Sequence, residues 1–513
     1  MKSARCSQKR CGVVFKAQVK RKKSIPGSLR ILKSLKRPLP LAATGARNAS
    51  MPEGPPLTAS LNSCRMPENA DGRHAGNDEE TEILEGSCMR SGKRPDLERN
   101  GLLNAIMACQ NEEYPLLESL YQDLHRFPEL SGKEEQTSRR MAAEMEKAGF
   151  RTSSRIGGYG VVGVLENGPG PVVMIRADLD ALPVTEKTGL PYASRIRTLT
   201  EAGQNVGVMH ACGHDVHMTV LIGTARWLGQ ARDLWRGTLV LVAQPAEENA
   251  SGAAAMIADG LFSRFPRPAF ILGLHVLPEP VGTLFYREGY WFAGSTAVEL
   301  TVFGKGGHAA RPHEAIDPIV LSAQMIMAFQ TLISRETDPS EPVVLTVSSI
   351  HAGARDNIIP EKAFFQISIR ALSREQHDRI ISSIKRTADG IAWAAGIPEN
   401  RFPRLSLRGY TPALYNDPRL TRRLARRFRR TFGRSRVLEM PVLTVSEDFA
   451  HFGLTEPRIP LCFFGLGMAD PRGNMPPLHS PYLAPVPKPT IQSGIAAMTS
   501  AVLELTKVPG QEK

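Results

Sequence analysis

The segment His210-Ala-Cys-Gly-His-Asp-Val-His217 carries three imidazoles, one thiol and one carboxylate. Cys212 and His214 are two positions apart, so both side chains can turn toward one ion. Zinc and several neighbouring transition-metal ions accept this mixture of thiolate and imidazole ligands. A lone Cys-x-His pair is more often a packing feature than a metal site. The pair therefore predicts metal binding only if other parts of the chain also supply ligands.

Potential ligands recur at four further places in the chain. They are Asp178 and Asp180, the adjacent Glu247 and Glu248, His275, and His479. The first three places lie at the ends of apolar runs that are typical of buried strands. Open α/β sheets hold their functional sites at the carboxyl ends of parallel strands, so these side chains are expected at one edge of one sheet. A single acid at a strand end is common, but jointly these residues predict a metal centre.

The strands and helices that must carry these ligands alternate along the chain. Buried strands are predicted at about 161–166, 171–177, 237–244, 269–275 and 460–465, and helices at about 112–127, 131–147, 217–228, 250–260, 417–431 and 488–506. At the start of the second helix, Ser131 and Glu134 have the spacing of a capping box. The alternation predicts the α/β class with a mostly parallel sheet.

The pattern changes between residues 292 and 403. A strand, a helix, two strands, a second helix and a last strand near 404–409 follow one another, which is the order of a ferredoxin-like α+β domain. We therefore predict an inserted domain at 292–403. It interrupts a catalytic domain formed by residues 108–291 and 404–513.

The net charge of +13 is concentrated at one end of the chain. Residues 1–50 contain fourteen Lys and Arg and no Asp or Glu, so residues 51–513 carry a net charge of −1. A nearly neutral body has no general attraction for polyanions, which argues against a nucleic-acid partner. Residues 1–107 are rich in Ser, Pro, Gly and charge, and are predicted to be a disordered basic extension. A transit peptide, translation from upstream of the true start, and nucleic-acid binding by this tail are open interpretations of it.

Cysteine usage and hydropathy indicate the compartment. The chain has seven scattered cysteines, an odd number without dense spacing, which predicts reduced thiols and a cytoplasmic location. It has no uninterrupted apolar run of about 18 residues, so no membrane span is predicted.

The motifs, in their order along the chain, resemble those of the amidohydrolases related to metallo-aminopeptidases. That family includes hippurate hydrolase, N-acyl-amino-acid amidohydrolase and plant indole-acetyl-amino-acid hydrolases. The resemblance covers about residues 112 to 507. The motifs that carry it are His125-Arg-Phe-Pro-Glu-Leu, Arg176-Ala-Asp-Leu-Asp-Ala-Leu-Pro183, His210-Ala-Cys-Gly-His-Asp215, Gln244-Pro-Ala-Glu-Glu248, Gly273-Leu-His275, Gly304-Lys-Gly-Gly-His308, Ser446-Glu-Asp-Phe449 and Leu478-His479.

The resemblance implies a site for two divalent metal ions, Mn²⁺ or Zn²⁺, with Co²⁺ or Ni²⁺ also open. The ligands it implies are Cys212, His214, Glu248, His275 and His479. Glu247 is then the general acid/base, which fits the chemistry of two adjacent glutamates, because neighbouring residues rarely aim at one ion. Asp180 and Asp215 are expected to orient the ligands through hydrogen bonds without binding the ions themselves.

The resemblance also gives the inserted domain a role as a lid and as the contact of a homodimer. In the family, the residue corresponding to His308 reaches the site of a neighbouring subunit and stabilises the carbonyl oxygen. Asn357 and Arg370 are predicted to grip the carboxylate of the substrate, and a guanidinium suits that planar anion through paired hydrogen bonds.

The sequence therefore predicts a metal-dependent amidohydrolase that acts on linear amide C–N bonds. It would cleave N-acyl amino acids, with an acetyl, benzoyl or similar acyl group, into a carboxylic acid and an amino acid. A dipeptidase or aminoacyl peptidase on the same scaffold is the first alternative. A cysteine hydrolase that uses Cys212 as its nucleophile is a more distant one.

Overall fold

The computed structural model describes residues 101–200 and 203–507. Nearly all of the predicted disordered extension lies outside these residues. Helix α1 begins at Gly101, before the predicted boundary at residue 107, and Ile106 is already fully buried in the core. Helix α1 therefore begins earlier than its apolar periodicity indicated.

The helices alternate with strands over most of the described chain. The helices are α1 (Gly101–Arg126), α2 (Glu135–Lys147), α3 (His214–Gln230), α4 (Gly252–Ala258), α5 (Leu261–Arg264), α6 (Pro318–Glu336), α7 (Arg374–Ala394), α8 (Pro418–Phe432), α9 (Ala450–Gly453) and α10 (Pro487–Leu505). The strands are β1 (Arg151–Ile156), β2 (Gly160–Asn167), β3 (Val172–Asp178), β4 (Arg197–Leu199), β5 (Asn205–Gly207), β6 (Gly237–Gln244), β7 (Phe270–Pro280), β8 (Leu284–Tyr286), β9 (Gly289–Phe292), β10 (Gly294–Phe303), β11 (Gly307–His308), β12 (Val344–Ala352), β13 (Ile358–Ile359), β14 (Lys362–Ala371), β15 (Arg404–Thr411), β16 (Leu414–Asn416), β17 (Val437–Glu439) and β18 (Leu461–Ala469).

The main sheet has eight strands in the order β1-β2-β6-β3-β7-β18-β8-β17. Its centre, β6-β3-β7-β18, is parallel, whereas β1, β2 and β8 each pair antiparallel with a neighbour. This architecture confirms the α/β class and the large, mostly parallel central sheet. In β3 and β6, Asp178 pairs with Gln244. The carboxyl ends of the central strands therefore lie level, at the edge where the ligands were expected.

Apolar cores cover both faces of this sheet. One face packs against α1, α2, α3, α8 and α10, and the other against α4 and α9. Helix α3 is buried at fourteen positions, including His214, Asp215 and His217. Because a helix buried on all sides has no solvated stripe, apolar periodicity could not locate its start. The helix begins at His214 rather than at the predicted position near His217.

A second sheet of four antiparallel strands has the order β12-β14-β10-β15. Side chains on β10 and β14 alternate between buried and partly exposed, and the buried ones pack with α6 and α7. The elements of this part of the chain follow the order β-α-β-β-α-β. Its role as an inserted lid and dimerisation domain stays a prediction.

Two local predictions need correction. The capping box at the second helix is wrong, because α2 begins at Glu135 and the first N–H groups of the helix donate to the side chain of Glu129 rather than to Ser131. Ser131 instead donates a hydrogen bond to Asp180, 2.6 Å away. The short strands β8 and β17 were not predicted, since three residues are too few to show a period. Among the helices of the described ranges, none has the length and apolar character needed to cross a bilayer.

Candidate active site

Gly213 joins the two residues of the central motif. Its φ is +82°, and a Cβ atom here would lie 2.5 Å from Cγ2 of Val276. A left-handed backbone in contact with a neighbouring strand favours glycine. The sharp turn places Cys212 before α3 and His214 as the first residue of that helix. Both side chains thus face the carboxyl edge of the sheet.

Cys212 and His275 are in direct contact at this edge. The Cys212 Sγ atom lies 3.4 Å from Nε2 of His275, which β7 carries. The other ring nitrogen of His275, Nδ1, lies 2.7 Å from the carbonyl oxygen of Val276. A carbonyl only accepts hydrogen bonds, so Nδ1 holds the proton and Nε2 presents its lone pair to the site.

His214 is oriented in the same way. Its Nδ1 donates to the backbone carbonyl of Asp180 at 2.8 Å, so in the neutral imidazole, the form that binds a metal, Nε2 carries the lone pair. This buried Nε2 atom has no hydrogen-bond partner in the described part of the chain, and neither has Oε1 of Glu248, 3.8 Å away. An imidazole nitrogen and a carboxylate oxygen that face each other in the interior without other partners have the arrangement that a bound cation would satisfy.

His479 approaches the same carboxylate from the far end of the chain. Its Nε2 lies 3.7 Å from Oε2 of Glu248, and its backbone N–H donates to the carbonyl of Ala211 at 2.7 Å. The φ of His479 is +68°, a conformation that costs free energy for a residue with a Cβ atom. The strained turn is therefore held against the segment that carries the thiol.

The five predicted ligands form two overlapping groups. Donor atoms lie within 4.8 Å of one another in the set Cys212, His214 and His275, and again in the set Cys212, Glu248 and His479. Two groups that share a thiolate fit a pair of ions, and a mixture of sulfur, imidazole and carboxylate donors suits zinc or a neighbouring transition metal. The residues present thus fit the implied metal centre.

His217, the third imidazole of the opening segment, has a different position. The backbone N–H of Val276 donates to its Nε2 at 2.9 Å, so the proton lies on Nδ1, which donates to Asp178 at 2.6 Å. With both nitrogens engaged, His217 has no lone pair for an ion. It holds Asp178 in place beneath His214 instead.

Arg176 is the functional residue that the sequence analysis missed. Its buried guanidinium donates to Asp178 at 2.8 Å, to Glu447 at 2.9 Å and to Asp448 at 3.2 Å. A buried arginine is stable only when its charge is compensated, and here one cation meets three carboxylates. A charged residue within the apolar run of β3 was the available signal for this network.

Glu247 lies at the start of the turn that follows β6. It is grouped with His214 and Glu248 on one side and with Glu447 and Asp448 on the other. Burial, followed by the charges of Glu447 and Asp448, raises the pKa of Glu247 well above its usual range. A carboxyl with a raised pKa can both accept and release a proton near neutral pH.

Burial raises the pKa of the Cys212 thiol well above its ordinary value. A nucleophilic cysteine needs the opposite, a pKa lowered by a neighbouring positive charge. The thiol also lies among the other donor atoms, 3.4 Å from His275. The environment of Cys212 therefore fits a metal ligand better than a nucleophile, because a bound ion would itself deprotonate the thiol, whereas a free nucleophile has no such help here.

The site opens into a cavity of about 640 Å³. Four of the predicted ligands line it together with Glu247, whereas His214 lies buried outside the lining, and apolar side chains form a further part of the surface. The apolar residues are Leu277, Phe292, Met440, Leu443 and Val445. Arg370 lines the same cavity and donates to the Ser446 hydroxyl at 3.3 Å. Among residues 101–200 and 203–507 it forms no ion pair, so its charge is available to a ligand.

The remaining two predicted substrate residues lie elsewhere. His308 and Asn357 are exposed, on and beside the small ribbon formed by β11 and β13, and neither lines the cavity. They are close to each other, since the backbone N–H of Ala309 donates to the carbonyl of Asn357. Within this single chain, the structure brings only Arg370 of the three to the donor residues.

Comparison with known proteins agrees with this geometry. Residues 174–504 match the peptidase family M20/M25/M40. The N-acetyldiaminopimelate deacetylase of Limosilactobacillus fermentum is 37% identical over 385 residues, which cover 74% of this chain and 94% of that protein. The IAA-amino acid hydrolase ILR1-like 2 of Arabidopsis thaliana is 33% identical over 376 residues, 72% of this chain and 81% of that one.

A solved structure shares the fold over most of its length. The Bacillus subtilis YXEP protein, described as a dinuclear metal-binding peptidase, superposes with a TM-score of 0.64 at 28% identity. The match covers 77% of this chain and 99% of the YXEP chain. The resemblance drawn from the motifs is thereby confirmed.

Proposed function

The chain belongs to the peptidase family M20/M25/M40 and is a hydrolase of amide C–N bonds, and on that premise we propose that it cleaves N-acyl amino acids. One observation carries this proposal. A cavity of about 640 Å³ is lined by four of the five proposed ligands, Cys212, Glu248, His275 and His479, and by the guanidinium of Arg370, which forms no ion pair within residues 101–200 and 203–507. The scissile amide would lie at the donor wall, and the carboxylate of the amino acid would bind Arg370.

Glu247 performs the proton transfers in this reaction. When two divalent ions are bound, they acidify the attacking water and polarise the carbonyl of the amide. Glu247 takes the proton of that water and passes it to the departing nitrogen, so no covalent intermediate with the protein is needed. The raised pKa of its carboxyl, caused first by burial, matches both transfers.

Five side chains of this protein would hold the ions. They are Cys212, His214, Glu248, His275 and His479. Thiolate and imidazole donors favour Zn²⁺, the carboxylate also suits Mn²⁺, and Co²⁺ or Ni²⁺ accept the same set. Asp180 supports this centre, because its backbone carbonyl fixes the tautomer of His214.

The apolar wall of the cavity defines the second part of the substrate. Phe292, Met440 and Leu443 offer an apolar surface but no charge, so an acyl group such as benzoyl or another apolar group fits there. Dipeptides present the same amide and carboxylate. A dipeptidase activity therefore remains the alternative, and the peptidase description of YXEP favours it.

The segment 292–403 is inferred to be an inserted lid that also forms the contact of a homodimer. His308 and Asn357 are exposed and lie outside the cavity of their own chain, which agrees with a contribution to the site of a second subunit. The scattered cysteines of the sequence favour a cytoplasmic location.

The test is an activity screen on protein reconstituted with Mn²⁺ or Zn²⁺. Substrates are N-acetyl, N-benzoyl and indole-acetyl amino acids and a set of dipeptides, and amine release is measured. Turnover of the acylated amino acids above the dipeptides is expected. If the protein binds two ions and releases amine from none of them, the proposed function is wrong.

A further inference from the structure

The loop between α1 and α2 has no role in the reaction as described so far, although it carries one of the motifs of the sequence. Glu134, the last residue before α2, is completely buried. A carboxyl group in the interior costs free energy unless its oxygens are hydrogen-bonded. One hydrogen-bond partner of this carboxyl lies in its own loop, and the other lies on the turn that carries Glu247.

Oxygen Oε1 of Glu134 accepts two hydrogen bonds, one from the backbone N–H of Gly132 and one from that of Ala246, both at 2.8 Å. Ala246 immediately precedes Glu247 and has a φ of +53°. Since an alanine in this conformation costs about 1–2 kcal/mol, its surroundings must hold it there. The bond from Glu134 is one such restraint on the backbone that aims Glu247.

A second side chain of the same loop restrains Glu248. Ser131 donates to Oδ2 of Asp180 at 2.6 Å, and that oxygen also accepts the backbone N–H of Glu248 at 2.9 Å. The loop therefore reaches both glutamates, through Ala246 on one side and through Asp180 on the other.

We propose that Glu134 is a positioning residue for the hydrolysis, which holds Ala246 in its strained conformation and so fixes the direction of the Glu247 side chain. The inference rests on the proposed role of Glu247 as general acid/base. Glu134 acts through Ala246 and does not line the cavity.

The cost of keeping a carboxyl at this position supports the inference. Oxygen Oε2 of Glu134 is buried and has no hydrogen-bond partner among the residues that the structure describes. Burial raises the pKa of Glu134 to about 7, against the lowering effect of its backbone hydrogen bonds. A buried carboxyl oxygen without a hydrogen-bond partner lowers stability, so a purely stabilising role does not explain a glutamate at this position.

The same loop provides a matched control. Glu129 accepts hydrogen bonds from Thr137 and from the backbone of Gln136, at the start of α2, and its side chain makes no contact with the Glu247 turn within the described ranges. Glu129→Ala therefore perturbs the loop and the helix without touching Ala246. Any loss shared by Glu129→Ala and Glu134→Ala reports stability alone.

The test compares Glu134→Ala, Glu134→Gln and Glu129→Ala in the full chain reconstituted with metal. Displacement of a catalytic group by about 1 Å lowers the rate roughly 100-fold. In Glu134→Ala, kcat should therefore fall about 100-fold, with little change in KM or in the amount of bound metal. Glu134→Gln keeps an acceptor oxygen and should recover most of kcat, and Glu129→Ala should retain it. Equal kcat, per folded molecule, in Glu134→Ala and wild type would overturn the proposal.

Hydrogen exchange of the metal-free protein gives a readout that needs no substrate. The amides of the segment 246–252 should exchange faster in Glu134→Ala than in wild type, and at the wild-type rate in Glu134→Gln and Glu129→Ala. Unchanged exchange in Glu134→Ala would contradict the positioning contact. A wild-type protein without amidohydrolase activity would instead contradict the proposed function, and the exchange experiment would still test the contact.

Discussion

Backbone groups decide which histidines of the site can bind an ion. The carbonyls of Asp180 and Val276 accept the Nδ1 protons of His214 and His275, so Nε2 of each ring faces the other candidate donor atoms. The N–H of Val276 occupies Nε2 of His217 instead. Three imidazoles that look equivalent in the sequence thus have two different functions, and only partners distant along the chain separate them.

Removal of the Glu247 carboxyl should affect turnover alone. Glu247→Ala is expected to lower kcat by about 100- to 10,000-fold, the usual contribution of a general acid/base. The amount of bound metal, measured by inductively coupled plasma mass spectrometry, should stay near that of the wild type because the proposed ligand Glu248 is unchanged. Loss of metal in this variant would show that the roles of the two glutamates are wrongly divided.

Arg370 should determine recognition of the substrate carboxylate. Hydrogen bonds to a charged group contribute about 1.5–3 kcal/mol, so Arg370→Ala should raise KM for an N-acyl amino acid by roughly 10- to 150-fold. The corresponding N-acyl amino-acid amide, which lacks the carboxylate, provides the comparison. In the variant, the KM values of the two compounds should become similar, because only the N-acyl amino acid loses a contact. An equal rise of KM for both compounds would contradict the assignment.

At the scale of elements, Gly213 holds the thiol and the helix start together. In Gly213→Ala the new Cβ would meet Val276 at 2.5 Å in addition to the strain of a positive φ. Gly396→Ala has the same kind of φ, +78°, and no described atom within 4 Å of its Cβ. The strain alone costs about 1–2 kcal/mol, and Gly213→Ala should cost more. Denaturant unfolding of both variants measures the difference, and equal losses would exclude the clash.

The buried strands were the part of the fold that the sequence predicted best. Strand β6 (Gly237–Gln244) has the predicted bounds, because a continuous apolar run between a glycine and a polar turn is unambiguous. The five candidate ligands could be proposed because their side-chain chemistry is rare in combination. Arg176 and Glu134 could not, since their importance comes from buried partners on other segments, which apolar patterns do not reveal.

At the scale of the whole molecule, one buried ionic cluster should make stability depend on pH. His125, which α1 carries, lies 2.7 Å from Asp215 and 3.1 Å from Glu186. Burial opposes the charged imidazole, but the hydrogen bonds to Asp215 and Glu186 prevail and raise the pKa of His125 to about 9, from 6.5. A raised folded-state pKa stabilises the protein fully below pH 6.5, and this stabilisation is lost as the pH rises through 9.

The expected loss is about 3 kcal/mol between pH 6.5 and pH 9.5. The free energy of unfolding in urea, measured at several pH values, should fall over this range in the wild type. His125→Gln retains a hydrogen-bonding group that does not titrate, so its curve should be flatter by that amount. Parallel curves for the two proteins would show that His125 is not charged in the fold.

Metal removal should distinguish this enzyme from a cysteine hydrolase. A chelator is expected to abolish activity, and added Mn²⁺ or Zn²⁺ should restore it. The chelated protein should also melt at a lower temperature, because an ion that binds only the folded state stabilises it. In the loaded protein, a thiol-alkylating reagent should leave Cys212 unmodified. Full activity in excess chelator would contradict a metal-dependent reaction.

The position of His479 in the chain has a consequence for biosynthesis. A ribosome that has delivered the chain through residue 470 has made four of the five ligands, together with Glu247. Strand β18, which separates β7 from β8 in the sheet, has also only just emerged. The nascent protein therefore cannot assemble the proposed five-ligand site until His479 has also been translated.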